Sequence, residues 1–236
     1  MRGMAIQTIS TLVQIPLGRS AMYGDLQVPA RAIGLVLFVH GSGSSRFSVR
    51  NRYVAEELNN QLLGTLLLDL LTREEQGIDD ETMQFRFDIP MLATRSTLAV
   101  HWALSQPQLR ELPVGLFGAS TGAAAALITA AELKRQIMAV VSRGGRPDLA
   151  EGALSKVEAP TLLIVGGEDR TVLDLNIDAA KRLQCPNRLH VIAGATHLFE
   201  EPGALEQVAS VAADWFVEHI QQRHGFSSNT RVAIGE

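Results

Sequence analysis

Short apolar runs alternate with helically spaced segments along most of the chain, which is the pattern of strands joined through helices. Residues 34–39 form an unbroken aliphatic run that is typical of a strand buried on both faces. The alternation predicts an α/β protein with a mainly parallel, twisted sheet and helices on both faces. Its functional site is expected beyond the carboxyl ends of the strands. Later strands are predicted at residues 65–70, 113–117, 137–141, 161–165 and 188–192, and helices at residues 49–63, 89–104, 120–135, 174–183 and 204–220.

Three segments depart from this alternation. Residues 8–16 and 22–28 are predicted as antiparallel edge strands joined through Gly18 and Arg19. The acidic stretch at residues 74–81 is interpreted as a solvated loop.

The 236 residues are enough for one well-buried core, and no linker divides them. Residues 225–236 have little apolar surface to bury and are predicted to form a mobile tail. Residues 1–224 are therefore interpreted as a single domain.

Composition narrows the possible functions. The net charge is −4, and no run of Lys and Arg offers a nucleic-acid surface or a dock for anionic lipid. No segment has the roughly 18 apolar residues of a membrane span, and residues 1–15 lack the apolar core of a signal peptide. The single cysteine, Cys185, forms no internal disulfide, and no Cys/His cluster has zinc spacing. We expect a soluble, cytoplasmic protein without metal or cofactor, and the oligomeric state stays open.

The stretch Gly118-Ala119-Ser120-Thr121-Gly122 lies between an apolar run and an alanine-rich segment, and it is interpreted as strand, sharp turn and helix. A G-x-S-x-G turn holds its serine in a strained conformation, which small neighbours permit because strand and helix must approach closely. The free N–H groups at the start of the helix point toward any oxygen that becomes negative during attack. The turn therefore predicts an acyl-transfer nucleophile.

A serine hydroxyl needs a base to take its proton and an acid to orient that base. His197 follows the last predicted strand, and Asp169 follows the strand before it. Both lie where strand-end loops meet, and the chain order is Ser, then Asp, then His.

Other assignments remain open for both residues. His197 could be an ordinary loop histidine, and His40 is its main rival, although a histidine there is better placed to brace its loop by hydrogen bonding. Asp169 could instead cap a helix or a turn. Glu168 is the nearest alternative acid, and Asp174 is a weaker one.

The loop at residues 40–45, His-Gly-Ser-Gly-Ser-Ser, follows the first buried strand and can supply half of an oxyanion hole. We expect the backbone N–H of Ser42 to be one donor and that of Thr121 the other. The loop could also be a simple flexible turn. A phosphate-binding loop fits less well, because the lysine and spacing of a P-loop are missing.

These motifs resemble the α/β-hydrolase superfamily, and within it the chain is similar to the dienelactone-hydrolase-like serine esterases. The resemblance implies an α/β-hydrolase fold for residues 1–224. It also implies that Ser120 is the nucleophile, His197 the general base and acid, and Asp169 the orienting carboxylate. The resemblance extends over about residues 35–220 and rests on the loops at residues 40–45, 118–122, 166–169 and 194–197.

The nucleophile departs from the pattern of the family. Dienelactone hydrolases proper use a cysteine there, whereas this chain has Ser120, and Cys185 lies before a strand. A general ester is therefore favoured over dienelactone as the substrate.

Residues 143–160, between two predicted strands, are too few for a helical cap, so an open site is expected. Arg143 and Arg146 lie there and could bind a substrate carboxylate through two hydrogen bonds each. Pairing with Asp148 or Asp169 is the favoured alternative. Phe199 could line an acyl pocket, as could Met91, although packing in the core is the default for each.

The resulting hypothesis is a serine hydrolase that cleaves small or accessible carboxylic esters through an acyl-enzyme. Thioesterase, lactonase or perhydrolase chemistry on the same three residues is the alternative. A non-catalytic binding protein on the same fold is a third possibility, and it fits less well because all three residues are present.

Overall fold

The computed structural model describes residues 8–229, and the side chains among them as far as residue 222. The strands are β1 (Thr8–Leu17), β2 (Ser20–Pro29), β3 (Gly34–Val39), β4 (Leu63–Leu68), β5 (Val114–Ala119), β6 (Ile137–Arg143), β7 (Thr161–Gly166) and β8 (Asn187–Ile192). The helices are α1 (Val49–Asn60), α2 (Arg73–Thr82), α3 (Ile89–Ser105), α4 (Thr121–Leu133), α5 (Arg170–Arg182) and α6 (Ala204–Asn229), with 3-10 helices at Lys134–Gln136 and Pro147–Lys156.

All eight of these strands belong to one sheet, in the order β1-β2-β4-β3-β5-β6-β7-β8. The strands from β4 to β8 in that order are parallel, and β2 pairs antiparallel with both β1 and β4. The mainly parallel sheet and the antiparallel hairpin at its edge are both confirmed. The parallel strands bring the loops after β3, β5, β6, β7 and β8 to one edge of the sheet, which we call the carboxyl edge.

The central strands are buried on both faces, as their apolar runs predict. Leu37 and Leu116 pack in a layer with α3 and α4. Their neighbours Phe38 and Phe117 pack in a second layer with α1 and α6, and their ring centroids lie 4.8 Å apart. This alternation follows from the two-residue period of a strand. The helices on both faces thus hold the carboxyl edge rigid.

The acidic stretch that was expected to be a solvated loop is helix α2, so that expectation is wrong. Thr72 caps the helix: its side chain accepts a hydrogen bond from the Glu75 N–H, while the Glu75 carboxylate accepts one from the Thr72 N–H. The Arg95 guanidinium also binds Glu75. This hydrogen bond lowers the pKa of Glu75 most, against the opposing effect of its burial. A local cap and an arginine from α3 therefore order a stretch that composition alone describes as solvated.

The carboxylate of Asp79 holds the turn that follows α2. Its side chain is 1% exposed, and it accepts hydrogen bonds from the Phe85 N–H at 2.8 Å, the Arg86 N–H at 3.0 Å and the Arg86 Nε at 2.7 Å. Burial raises the pKa of Asp79, but these hydrogen bonds outweigh it and the net shift is downward.

Helix α1 ends earlier and β4 begins earlier than predicted. Leu62 adopts a left-handed conformation with φ 61°, which ends the helix without a glycine. Gly64, expected to end the helix, lies inside β4, where a Cβ would stand 3.3 Å from Leu35 Cδ1. The close approach of β3 and β4 explains this glycine.

The last helix continues through Asn229, past the predicted start of a mobile tail at residue 225. The rest of that predicted tail, residues 230–236, lies outside the described residues.

The substitution Asp79→Asn should lower the free energy of unfolding by about 3 kcal/mol near neutral pH, because it removes the buried carboxylate that binds the part-buried Arg86 guanidinium. A carboxyl whose folded-state pKa is lowered stabilises the protein above its ordinary pKa of 3.8, and the contribution is lost as the pH falls through the lower folded value. The gap between wild type and variant should therefore narrow in acid. Urea unfolding at a series of pH values measures it.

The neighbouring Asp80, whose side chain is 65% exposed, provides the control. Asp80→Asn should stay within about 0.5 kcal/mol of wild type. If Asp79→Asn lowered the free energy of unfolding by the same amount at every pH, the role assigned to the Asp79 carboxylate would be wrong.

Candidate active site

Ser120 occupies a sharp turn between β5 and α4 at the carboxyl edge. Its backbone has φ 50° and ψ −122°, a conformation that L-residues rarely adopt. Its N–H donates to the Arg143 carbonyl at 3.1 Å, and its carbonyl accepts from the Arg146 N–H at 3.0 Å and the Ala123 N–H at 3.1 Å. The strain is thus held by neighbours on β6 and α4, and the part-exposed side chain is presented above the sheet.

Two glycines make this turn possible. A Cβ on Gly118 would lie 2.4 Å from Ala123 Cα, and one on Gly122 would lie 2.2 Å from the Val39 carbonyl oxygen and 2.4 Å from that of His40. Neither position can carry a side chain without moving backbone. The G-x-S-x-G pattern therefore reflects close packing of β5, α4 and the end of β3.

Asp169 and His197 lie together at the same edge. The His197 Nδ1 donates to Asp169 Oδ2 at 2.6 Å, and the carboxylate side chain is 15% exposed against 39% for the histidine. Asp169 precedes α5 but makes no capping hydrogen bond with its side chain. The carboxylate orients the imidazole, and this bond leaves Nε2 free to accept a proton.

The loop after β6 connects the histidine to the serine. Gly144, next to the Arg143 whose carbonyl binds the Ser120 N–H, lies so close to His197 that a Cβ there would be 3.5 Å from the His197 Cε1. Among the described residues no hydrogen bond joins Ser120 to His197, and such bonds in free enzymes often tighten only with substrate. The loop after β6 thus contacts both the Ser120 turn and His197, and His197 in turn binds Asp169.

His40 braces its own loop, as its position after β3 suggested. Its Nδ1 donates to the Gly41 carbonyl at 2.9 Å, and its Nε2 accepts from the Leu70 N–H at 3.1 Å. Burial lowers the pKa of His40, which favours the neutral ring that these two bonds require. Both ring nitrogens are occupied, so His40 is a poor rival for the role of base.

The alternative acids point elsewhere. Glu168 is exposed, and its nearest partner is Arg170 at 3.8 Å. Asp174 is exposed on α5. Of the three candidate acids, Asp169 is the one that contacts His197.

The two expected oxyanion donors lie side by side. The Ser42 N–H donates to the Thr121 Oγ1 at 2.8 Å, which ties the loop after β3 to the first turn of α4. Gly41 packs on the nucleophile, since a Cβ there would be 3.0 Å from the Ser120 Cβ. In the free protein the Ser42 amide is therefore occupied by a hydroxyl, while the Thr121 N–H lies at the start of α4 and has no acceptor within the helix.

Arg143, the last residue of β6, and Arg146, in the loop that follows, differ in their partners. Arg146 binds Asp148 through two hydrogen bonds, from Nε at 2.9 Å and Nη2 at 2.7 Å. For Arg146 the structure therefore shows the favoured alternative, pairing with Asp148. Arg143 has no carboxylate partner among the described residues, and its Nη1 is buried without a hydrogen bond.

Sequence reasoning missed Arg50, which lies in the first turn of α1. Its charge contributes, after burial as the larger cause, to lowering the pKa of Arg143 to about 10. An arginine in the first turn of a predicted helix resembles any solvated residue in the sequence, and the available signal was its place after the 40–45 loop.

Phe199 is 2% exposed and packs in the layer of α1 and α6. The structure thus places Phe199 in the core, which is the default alternative. Met91 is half-buried against the α3 and α4 layer.

Within the described residues 8–229, no cap domain covers the site. The segment between β6 and β7 forms only the 3-10 helix Pro147–Lys156. Helix α2 and its turn close one side instead: residues 40–44 share a small cleft with Gln76, Asp79 and Arg86.

Within residues 8–229, no group of three or more His, Cys, Asp or Glu side chains is placed to hold a metal. No helix in this part of the chain is long and apolar enough to cross a membrane.

The sequence profile of the dienelactone hydrolase family matches residues 59–221. A Mycobacterium tuberculosis protein named "Putative phosphoribosyl transferase" is 53% identical over 208 residues, which cover 88% of this chain but 46% of that protein. The chain thus spans about half the length of these curated relatives.

Solved structures show the same fold. A dienelactone hydrolase from Anabaena variabilis superposes with a TM-score of 0.89 at 54% identity, covering 90% of this chain and 99% of that one. Est1E from Butyrivibrio proteoclasticus superposes with a TM-score of 0.76 at 17% identity, covering 89% of this chain and 99% of its own.

The substitution Thr121→Val removes the acceptor of the Ser42 N–H while keeping the shape of the side chain. We expect exchange of the Ser42 amide hydrogen to become faster, and the free energy of unfolding to fall by about 1 kcal/mol. Thr121→Ser keeps the hydroxyl and serves as the control. Hydrogen exchange followed by NMR measures both variants. Equal protection of the Ser42 amide hydrogen in wild type and Thr121→Val would show that the Thr121 hydroxyl does not hold it.

Proposed function

Since the chain belongs to the dienelactone hydrolase family, and this membership supports a hydrolase function, we propose from the residues at its carboxyl edge that it is a serine enzyme that cleaves carboxylic esters. The observation that carries the proposal is the 2.6 Å hydrogen bond from His197 to Asp169, beside a loop that contacts the strained Ser120 turn. A nucleophile, a base and an orienting acid are the parts that acyl transfer needs.

In the proposed reaction the Ser120 Oγ attacks the ester carbonyl while His197 takes the hydroxyl proton at Nε2. Asp169 holds the imidazole in the required tautomer and stabilises its positive charge. His197 then gives the proton to the departing alkoxide, so that the alcohol leaves and the acyl group stays on Ser120. Water repeats these steps on the acyl-enzyme and releases the acid.

The negative oxygen of each tetrahedral intermediate would be held by the backbone N–H groups of Ser42 and Thr121. Because the Ser42 N–H donates to the Thr121 hydroxyl in the free protein, the oxyanion must take over this hydrogen bond. An oxyanion is a stronger acceptor than a neutral hydroxyl. The exchange therefore favours the transition state over the free enzyme and the ground state.

Lactone hydrolysis is the second candidate, and the family description favours it. A lactone is a cyclic ester, so the same residues and steps apply, and the alcohol remains joined to the acid. The phosphoribosyl transferase name is not carried over to this chain, because more than half of that mycobacterial protein lies outside the match.

Ser120→Ala and His197→Ala should each lower kcat for a short p-nitrophenyl ester by about 10⁴-fold or more, because each removes a group that acts in the chemical step. Asp169→Asn should cost a comparable factor by allowing the wrong imidazole tautomer. A fluorophosphonate probe should label wild type at Ser120 and leave Ser120→Ala unlabelled.

The controls are Ser155→Ala and His101→Ala, which change exposed residues on the 3-10 helix and on α3. Both should keep wild-type kcat. Full ester hydrolysis by Ser120→Ala would refute the proposal, and a panel of lactones beside the open-chain esters separates the two candidates by kcat/KM.

A further inference from the structure

Asn176 is a fully buried polar residue that joins two elements of the carboxyl edge. It lies on α5 and is 0% exposed. Its Nδ2 donates to the Gly145 carbonyl at 2.9 Å and to the Val172 carbonyl at 2.8 Å. Its Oδ1 is buried and has no hydrogen-bond partner among the described residues. Burying an amide is costly unless its polar atoms are bonded, so its contribution must come from the two bonds that Nδ2 donates.

One of these bonds holds the loop after β6, in which Gly145 is buried. On either side of this glycine the loop binds the nucleophile turn. The Arg143 carbonyl accepts from the Ser120 N–H at 3.1 Å, and the Arg146 N–H donates to the Ser120 carbonyl at 3.0 Å. Both backbone groups of the strained serine are thus bound to a loop that Asn176 ties to α5.

The same loop also reaches the histidine. A Cβ on Gly144 would lie 3.5 Å from the His197 Cε1 and 3.3 Å from the His197 carbonyl oxygen. No hydrogen bond joins Ser120 to His197 among the described residues. The distance between the serine hydroxyl and the imidazole therefore depends on the position of the loop that contacts both.

The other end of this connection is the helix of the proposed acid. Asp169 is the N-cap residue of α5, and Val172, the second acceptor of the Asn176 amide, lies in the first turn of that helix. Asn176 thus connects the helix that begins at Asp169 to the loop that contacts the nucleophile and the base.

Accepting the proposed ester hydrolysis, we propose that Asn176 is a positioning residue: its amide fixes the loop after β6, so that Ser120 and His197 keep the relative placement that proton transfer needs. Asn176 acts through the loop and not on the substrate. Misplacing reacting groups by about 1 Å can cost about 100-fold in rate. Loss of the amide should therefore slow the chemical step and leave substrate binding nearly unchanged.

Asn59 offers a matched control at the opposite edge of the sheet. Its Nδ2 donates to the Leu63 carbonyl at 2.8 Å and to the Thr65 Oγ1 at 3.1 Å. Like Asn176 it is buried, and its Oδ1 has no hydrogen-bond partner within the described part of the chain. Leu63 begins β4, so this amide lies at the end of the parallel strands opposite the carboxyl edge. The two asparagines make the same kind of contact, and only Asn176 adjoins the proposed site.

The first test replaces each asparagine by leucine, which branches at the same atom and donates no hydrogen bond. With p-nitrophenyl acetate, Asn176→Leu should lower kcat by about tenfold or more and change KM by less than about twofold. Labelling of Ser120 by a fluorophosphonate should slow by a similar factor. Asn59→Leu should lower Tm, as Asn176→Leu does, but keep the wild-type kcat and labelling rate. All kcat values are expressed per Ser120 labelled at completion, so that unfolded enzyme does not contribute.

Asn176→Asp tests the donor itself, because it keeps the shape of the side chain. An ionised carboxylate at this position has no proton to donate to the Gly145 carbonyl, whereas a protonated carboxyl group has one. Burial raises the pKa of a carboxyl group, which brings this change toward neutral pH. The kcat of Asn176→Asp, divided by that of wild type at the same pH, should therefore rise as the pH falls. The same ratio for Asn176→Leu should stay constant.

Hydrogen exchange of the Arg146 amide gives a readout that does not depend on catalysis. This amide donates to the Ser120 carbonyl from the loop that Asn176 holds. It should exchange faster in Asn176→Leu than in wild type, and Asn59→Leu should leave its exchange unchanged. NMR measures all three proteins.

Three results would overturn the positioning role. Wild-type kcat in Asn176→Leu, together with a lower Tm, would assign Asn176 to stability alone. A lower kcat with wild-type protection of the Arg146 amide would show that the effect does not pass through the loop. If Asn176→Leu does not fold, Asn176→Asp decides, and a ratio to wild type that is constant with pH would count against the role.

The two proposals fail in different ways. If wild type hydrolyses none of the esters and a fluorophosphonate does not label Ser120, ester hydrolysis itself is wrong, and exchange of the Arg146 amide still reports on the loop. If wild type hydrolyses the ester in a Ser120-dependent manner and Asn176→Leu retains its kcat, only the positioning role is wrong.

Discussion

The close approach of β5, α4 and the end of β3 is the constraint on which the carboxyl edge depends. It requires that Gly118 and Gly122 carry no side chain, because a Cβ on either would lie within 2.4 Å of neighbouring backbone. Only in that packing can Ser120 keep its positive φ, whose strain costs about 1–3 kcal/mol. The fully buried alanines of α4, which pack the helix tightly on the sheet, offset this cost.

The same packing also determines which polar groups meet at the carboxyl edge. By bringing the 40–45 loop onto α4, it places the Ser42 N–H on the Thr121 hydroxyl at 2.8 Å. By bringing β6 beside the turn, it makes the Arg143 carbonyl the partner of the Ser120 N–H and carries the Arg143 side chain to the edge. The parallel order of β5, β6, β7 and β8 then adds Asp169 and His197 from the following loops. This packing and the parallel order of the strands thus gather at one edge groups that are far apart in sequence, from Ser42 to His197.

The sequence predicts those parts of the fold that depend on local pattern. The boundaries of β3 agree with its apolar run, and the loops after β5, β7 and β8 fall where their strands end. Helix α2 was not predicted because the contacts that order it are not visible in its own sequence. Its cap, Thr72, resembles any loop threonine. Arg95, which binds Glu75, is distant in sequence, and Arg86, which binds Asp79, lies beyond the end of the helix. The boundary between α1 and β4 was missed because Leu62 takes a left-handed conformation more typical of glycine.

Charge pairing is the property that the sequence could least reveal. Arg143 and Arg146 are the same residue type at nearby positions, and an aspartate lies two positions beyond the second. In the structure Arg146 donates hydrogen bonds to both carboxylate oxygens of Asp148. The Arg143 Nη1, in contrast, is buried and makes no hydrogen bond. Pairing with a carboxylate offsets the cost of burying a guanidinium, and the structure provides it for Arg146 but not for Arg143. Residue types and spacing alone do not distinguish these two cases, because the partner is decided by where each side chain points in the folded protein.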